Sequence, residues 1–210
     1  MKDKAQVQEK GDLQQDVGIE DTALVRRCQR GDVDAAGRLI LKYQDRLYNA
    51  ILKICQNRDD AAELTQDTFV KVLENIGGFA GRSGFYTWLF RIGINLTLNY
   101  RKRRLKLPMR SLDNESSFGG EGRASPASFV SDCGRNDPAL AAASKESIQL
   151  VLQALKNLEQ DHRVVLVLRE IEQMSYQEIA EVLCVEPGTV KSRLSRARAV
   201  LKDHLQAVLL

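Results

Sequence analysis

Three of the four prolines in this 210-residue chain, Pro108, Pro126 and Pro138, fall in one stretch with Gly119, Gly120, Gly122, Gly134 and many serines. A segment of that composition buries too little apolar surface to offset its ordering entropy, so residues 106–140 are predicted to be a flexible linker separating two domains. On both sides of it apolar residues recur at helical spacing, and no strand-type alternation is convincing. Leu39, Ile40, Tyr43, Leu47, Ile51 and Ile54 form one series, and Ala61, Leu64, Phe69, Val72, Leu73 and Ile76 a second. A third, Leu89, Ile92, Leu96 and Tyr100, makes the apolar stripe of a helix predicted over about 85–104. Beyond the linker, helices are expected near 141–157, 160–171, 175–183 and 187–206. The expected fold is all-α, with a polar tail at 1–19, one bundle at 20–105 and a second at 141–210.

Charge is distributed unevenly. Residues 20–107 hold 16 Lys and Arg against 10 Asp and Glu, whereas residues 141–210 hold nine of each. Within the second domain, however, Lys191, Arg193, Arg196, Arg198 and Lys202 face only Asp203 over 187–203. Particular faces, rather than the whole surface, therefore suit a polyanion. Cys28, Cys55, Cys133 and Cys184 are far apart, with no C-x-x-C pair, which fits reduced thiols and does not suit zinc. The stretch Met1–Glu20 has no apolar signal core, and no run approaches the ~20 apolar residues that span a bilayer. A cytoplasmic protein with neither metal nor cofactor is expected.

The sharpest local pattern lies near the C-terminus. Ser175 and Glu178 have capping-box spacing ahead of Ile179, Ala180, Val182 and Leu183, and Pro187 suits the first position of a following helix. Two helices with about three residues between them make a helix-turn-helix, although Cys184 stands where the turn glycine is usual. Val190, Leu194, Ala197 and Leu201 point inward on the second helix. Thr189, Lys191, Ser192, Ser195 and Arg196 are left on the outer side, with Lys191, Ser192 and Arg196 the candidates for base or groove contacts. Arg193 and Arg198 are placed to meet phosphates or intramolecular carboxylates. An ordinary basic surface helix would share the charge run but not the cap, the turn length and the small Ala180 together.

Two further patterns lie in the first domain. Trp88, Arg91, Asn95, Asn99 and Lys102 follow one another at spacings of three and four, a polar and aromatic stripe suited to unpaired bases. The run Arg101, Lys102, Arg103 and Arg104 adds cations for phosphates, though the aromatic residues taken singly also fit a core. Asp59, Asp60, Glu63 and Asp67 cluster on one helix. Without His, Cys or a Gly-rich loop they fit neither a metal site nor an acid/base pair, and with Gln66 and Lys71 they suit a protein-docking surface.

Three classes of function can be compared. An enzyme is disfavoured because His162 and His204, the two imidazoles, lie in no nucleophile or metal motif and no phosphate-binding glycine pattern occurs. A stand-alone helix-turn-helix regulator would need a receiver or ligand domain over residues 20–104, which lack the strands of a receiver. The third class is a promoter-recognition subunit. Here the residues resemble the extracytoplasmic-function, or group IV, sigma factors. The segment 59–69 is similar to that family's polymerase-clamp-binding helix. Phe85 to Ile92 with Asn95 resembles its −10 and promoter-melting helix, and Gly188 to Leu194 with Arg196 and Arg198 its −35 recognition helix.

The resemblance implies residue roles that spacing does not supply. Asp60, Glu63, Gln66 and Asp67 would meet the β′ clamp helices of core RNA polymerase, with the β flap a further contact. Lys71 and Phe79, with the loop 77–84, would shape a pocket for a flipped base, while Asn95 and Asn99 meet −10 bases. Trp88, Arg91, Lys102 and Arg103 complete that set. At the −35 element Thr189, Lys191, Ser192, Ser195, Arg196 and Arg198 would act. The linker would thread the polymerase, and an anti-sigma factor is an implied partner.

Overall fold

A computed structural model of the chain describes residues 20–106 and 153–209. The expected tail at 1–19, nearly all of the expected linker and the start of the helix expected near 141–157 lie outside the described residues. The first domain comprises α1 (20–28), α2 (Val33–Cys55), α3 (Arg58–Asn75), a short 3-10 turn at Ile76–Gly78, and α4 (Phe85–Lys106). The second comprises a helical segment α5 (153–156), α6 (Gln160–Leu166) running into a π turn at Val167–Ile171, α7 (Tyr176–Leu183) and α8 (Pro187–Leu209). The described residues are helical in both domains and contain no strand.

Local chemistry sets the helix boundaries. Asp32 caps α2 by accepting from the Ala35 amide at 3.0 Å, and Asn57 caps α3 through the Asp60 amide at 3.0 Å. Between them Gln56 closes α2 in the left-handed region at φ 65°, so the chain reverses in two residues and α3 packs back on α2. Most of the expected α2 series lies inside: Leu47, Ile51 and Ile54 are fully buried, with Leu39 and Tyr43 nearly so and Ile40 half-buried. The helix α1 had no sequence signal of its own, being short. Leu24, Val25 and Cys28 bury its inner face.

Two expectations are corrected. Leu73 is 42% exposed rather than part of the α3 core, which runs through Ala61, Leu64, Phe69, Val72 and Ile76. In α4 the deepest positions are Leu89, Phe90, Ile94 and Thr97, not Ile92, Leu96 and Tyr100, which are half-buried. The reason is that α4 packs against α2 and α3 on one side and α7 on another, so no single stripe describes it. At Gly93 the approach is closest: a Cβ there would sit 3.0 Å from Leu47 Cδ1 and 3.2 Å from Thr68 Cγ2. The domains are thus not held apart. Their buried apolar residues join in one cluster.

Candidate nucleic-acid interface

The helix-turn-helix forms as its sequence requires. The Glu178 amide donates to Ser175 Oγ at 3.2 Å and the Ser175 amide to Glu178 Oε2 at 2.8 Å, closing the capping box. Cys184 occupies the glycine-type position at φ 54°, and the Val185 amide returns to the Ala180 carbonyl at 3.0 Å. Val190, Leu194 and Ala197 are buried beneath α8, and Leu201 is half-buried. Lys191, Ser192, Ser195 and Arg196 are exposed together on the outer side, while Thr189 is half-buried and its carbonyl accepts from Ser192 Oγ at 3.0 Å.

Two basic residues of α8 are engaged within the protein. Arg198 donates to Glu170 Oε1 at 2.7 Å and 3.1 Å, and Arg193 lies 3.1 Å from Asp161. Both arginines make these intramolecular pairs in the free chain, with the Arg198 side chain still half-exposed. Lys191 and Arg196, flanked by two serines, also point outward.

On α4 the expected stripe divides. Trp88 is 9% exposed and turns into an aromatic cluster, 4.9 Å from Phe79 and 6.0 Å from Phe85 by ring centroids. Phe79 is half-buried against it, and Gln29 pins that loop by donating to the carbonyls of Ile76 and Phe79 at 2.9 Å and 3.0 Å. Lys71 is exposed on α3. Arg91 is half-buried, Asn95 donates from Nδ2 to the Val182 carbonyl of α7 at 3.4 Å, and Asn99, Lys102 and Arg103 are exposed. The basic run is likewise split. Arg101 donates to the Ile54 carbonyl at 2.8 Å and Arg104 to Asp60 at 2.6 Å, leaving Lys102 and Arg103 outward.

Asp60 therefore does not share the exposed face of Glu63, Gln66 and Asp67. Its carboxylate accepts from Tyr100 Oη at 2.8 Å as well as from Arg104, because its helical position points across to α4 rather than to solvent. What the sequence reading missed on the outer face of α3 is apolar: Val70 is 54% and Leu73 42% exposed, beside Gln66 and Asp67. Val70 falls out of phase with the buried positions of the helix, which was the available signal. No group of His, Cys, Asp and Glu among the described residues is arranged to hold a metal, and none of their helices is long and apolar enough to cross a membrane.

A capped helix-turn-helix with an outward basic helix, joined to an all-helical domain that presents amides and cations, defines a DNA-binding transcription factor. Residues 39–106 match the family model for sigma-70 region 2, and residues 148–201 that for sigma-70 region 4. The chain belongs to the sigma-70 family, in its extracytoplasmic-function branch. It is 36% identical over 195 residues to the RNA polymerase sigma-H factor of Pseudomonas aeruginosa, covering 90% of this chain and 96% of that one. It is 31% identical over 192 residues to the sigma-E factor of Haemophilus influenzae, covering 91% and 98%. Among solved structures, CnrH in complex with the cytosolic domain of CnrY is similar at TM-score 0.63 and 26% identity, over 90% of this chain and 98% of that one. The fold also matches the sigma factor RpoE of Bartonella quintana, at TM-score 0.57 and 22% identity over 81% and 96%. The chain is an RNA polymerase sigma factor, directing initiation at promoters.

Proposed function

We infer that the two helical domains divide promoter recognition between them, with residues 20–105 acting at the −10 element and residues 141–210 at the −35 element. The observation that carries the reading is the outward pairing of Lys191 and Arg196 on the second helix of a capped helix-turn-helix. A major groove accepts such a helix, and cations there meet guanine edges or phosphates. Ser192, Ser195 and Thr189 supply shorter polar contacts along the same groove. Asn95 and Asn99, with Lys102, Arg103 and Arg91 nearby, act on the melted −10 strand. The aromatic wall of Phe79 and Trp88, with Lys71, holds an extruded base, and stacking offsets the few kcal/mol that extrusion costs.

Glu63, Gln66 and Asp67, with Val70 and Leu73, form the docking face for the β′ clamp helices of core polymerase, and the second domain meets the β flap. Apolar residues among acidic ones fit a protein partner better than solvent alone. CnrH is in complex with the cytosolic domain of CnrY, which supports a protein partner for this chain as well, and an anti-sigma factor is the partner we infer. The chain works in the cytoplasm beside the polymerase. Bond-making belongs to the polymerase, and this chain supplies positioning and promoter choice.

Run-off transcription with core polymerase on fragmented genomic DNA tests the assignment. Discrete transcripts that require the protein, and that are lost in both Asn95→Ala/Asn99→Ala and Lys191→Ala/Arg196→Ala, support both contact sets. Transcripts that persist in either double variant overturn that set. A protein that shifts duplex DNA alone and adds no promoter-specific initiation would instead be a stand-alone regulator.

A further inference from the structure

The loop 77–84, which carries Phe79, has little of its own to hold its shape. Gly77, Gly78, Gly81 and Gly84 fall within it, and Gly81 takes a φ of +68°. Glycine loses the most backbone freedom on ordering. A Cβ at Gly77, Gly78 or Gly84 would meet nothing within 4 Å, so neighbours do not pack the chain into place there. The Phe79 amide returns to the Ile76 carbonyl at 3.1 Å, but residues 80–83 make no hydrogen bond among the described residues. The Phe79 ring rests on Trp88 and stands edge-on to Phe85, 6.2 Å away by centroids.

The anchor lies outside the loop, at the end of α1. Gln29 donates twice from Nε2, to the Ile76 carbonyl at 2.9 Å and the Phe79 carbonyl at 3.0 Å, across 47 and 50 residues of sequence. Only the amino end of that side chain can face two carbonyls, so both of its donors are committed to the loop. Gln29 itself stands on a fixed base. Its amide bonds to the Val25 carbonyl at 2.9 Å, and Arg27 pairs with Asp32 at 2.7 Å across the turn that follows. At the other end of α1 buried Asp21 accepts from Lys42 at 2.7 Å and from the Tyr43 hydroxyl. We propose that Gln29 is a positioning residue for base capture, holding the Phe79 loop in the shape that receives the extruded base. The proposal rests on the base-pocket role given to Phe79 above.

A pocket that is shaped only part of the time binds with its affinity reduced by that fraction, so anchoring the loop in advance strengthens base capture without touching the base. Gln29 is exposed, and each of its bonds competes with water. Together the two shift the loop toward its ordered shape by roughly tenfold. Stacking on an aromatic wall gives a base a preference of similar size, so loss of the anchor removes most of it. The loop requires donors at this position and not bulk. Methionine has the length of glutamine without an N–H, whereas lysine keeps donors within reach of both carbonyls.

The test uses the full chain bound to core polymerase and a promoter fragment recovered by run-off transcription, with an abasic site at each −10 position of the non-template strand in turn. The ratio of affinities for intact and abasic fragments measures capture of that base. Phosphate contacts and the fraction of folded protein affect both affinities alike and cancel. Phe79→Ala identifies the captured position as the one whose ratio falls. There Gln29→Met is expected to lower the ratio roughly tenfold, and Gln29→Lys to keep it within about threefold of the parent. A ratio that falls in Phe79→Ala but holds in Gln29→Met overturns the role of Gln29 and leaves the base pocket standing. Equal loss in Gln29→Met and Gln29→Lys also overturns it, because the donors would then not be what the loop needs. If Phe79→Ala changes the ratio at no position, the base-pocket reading fails and the role of Gln29 falls with it.

Discussion

Arg163 and Ile54, 109 residues apart, meet through a hydrogen bond from the guanidinium Nη1 to the main-chain carbonyl at 3.0 Å. Arg163 is 3% exposed, and its other donors go to the carbonyls of Leu155, Lys156 and Leu158 at 2.7–2.9 Å. Burial, reinforced by nearby Arg101, pushes its pKa down to about 10, so the group stays a cation at neutral pH with every donor in place. Ile54 closes the last turn of α2, where free carbonyls and the helix dipole attract a cation, and Arg101 donates to the same oxygen. The side chain thus ties the turn before α6 to itself and to the first domain.

Arg163→Met is expected to destabilise the second domain by on the order of 3 kcal/mol, because several buried carbonyls lose their donors at once. Urea unfolding followed by far-UV circular dichroism measures it. Arg163→Lys should recover little, since one ammonium cannot reach carbonyls spread along three residues and a second helix.

Gly93 lets α4 press against α2 and α3. Gly93→Val is expected to cost about 1–3 kcal/mol, because Leu47 and Thr68 must both move out of a packed core. The midpoint of thermal unfolding should fall by roughly 2–4 °C for each kcal/mol lost. Gly93→Ala should fall between parent and valine variant.

Cys184 stands in the left-handed region at φ 54°, where a Cβ is disfavoured. Cys184→Gly is expected to stabilise the chain by about 0.5–1 kcal/mol in chemical denaturation. Duplex −35 binding should not change, because the turn already has the shape glycine would give it.

Arg196 and Arg198 are two residues apart but differ in engagement: Arg196 is exposed, whereas Arg198 pairs with Glu170. Arg196→Ala in the polymerase holoenzyme is expected to weaken binding to a −35 duplex roughly tenfold. Arg198→Ala should cost about threefold or less in the same titration, and little stability, since its ion pair is exposed.

Burial raises the thiol pKa of both Cys28 and Cys55, and Cys55 also donates to the Asn57 carbonyl at 3.2 Å, while Cys184 is exposed. In a Cys133→Ser chain at pH 7.5, Ellman's reagent should therefore titrate one thiol per molecule quickly. Buried Cys28 should react only on denaturation, and half-buried Cys55 more slowly than Cys184. A fast Cys28 would show that the core beneath α1 opens.

Much of the architecture was legible from local chemistry. Helical spacing marked α2, α3 and α8, the Ser175 and Glu178 pair marked the start of α7, and Val190, Leu194 and Ala197 marked the buried side of α8. Each signal needs only neighbours a few residues away, and a helix facing one partner leaves one stripe in its sequence. What tertiary structure decided is which polar groups are already engaged. Asp60 meets Arg104 across 44 residues, Arg198 meets Glu170 across 28, and Glu172 meets Arg46 across 126. A charge has the same local pattern whether it faces water, DNA or a partner on another helix. For the same reason α4, with neighbours on two sides, buries Gly93, Ile94 and Thr97 beyond Leu89, rather than Ile92, Leu96 and Tyr100 as its spacing suggests. Long-range packing alone brings α7 onto that helix, so that contact belongs to the fold and has no signature in the order of residues.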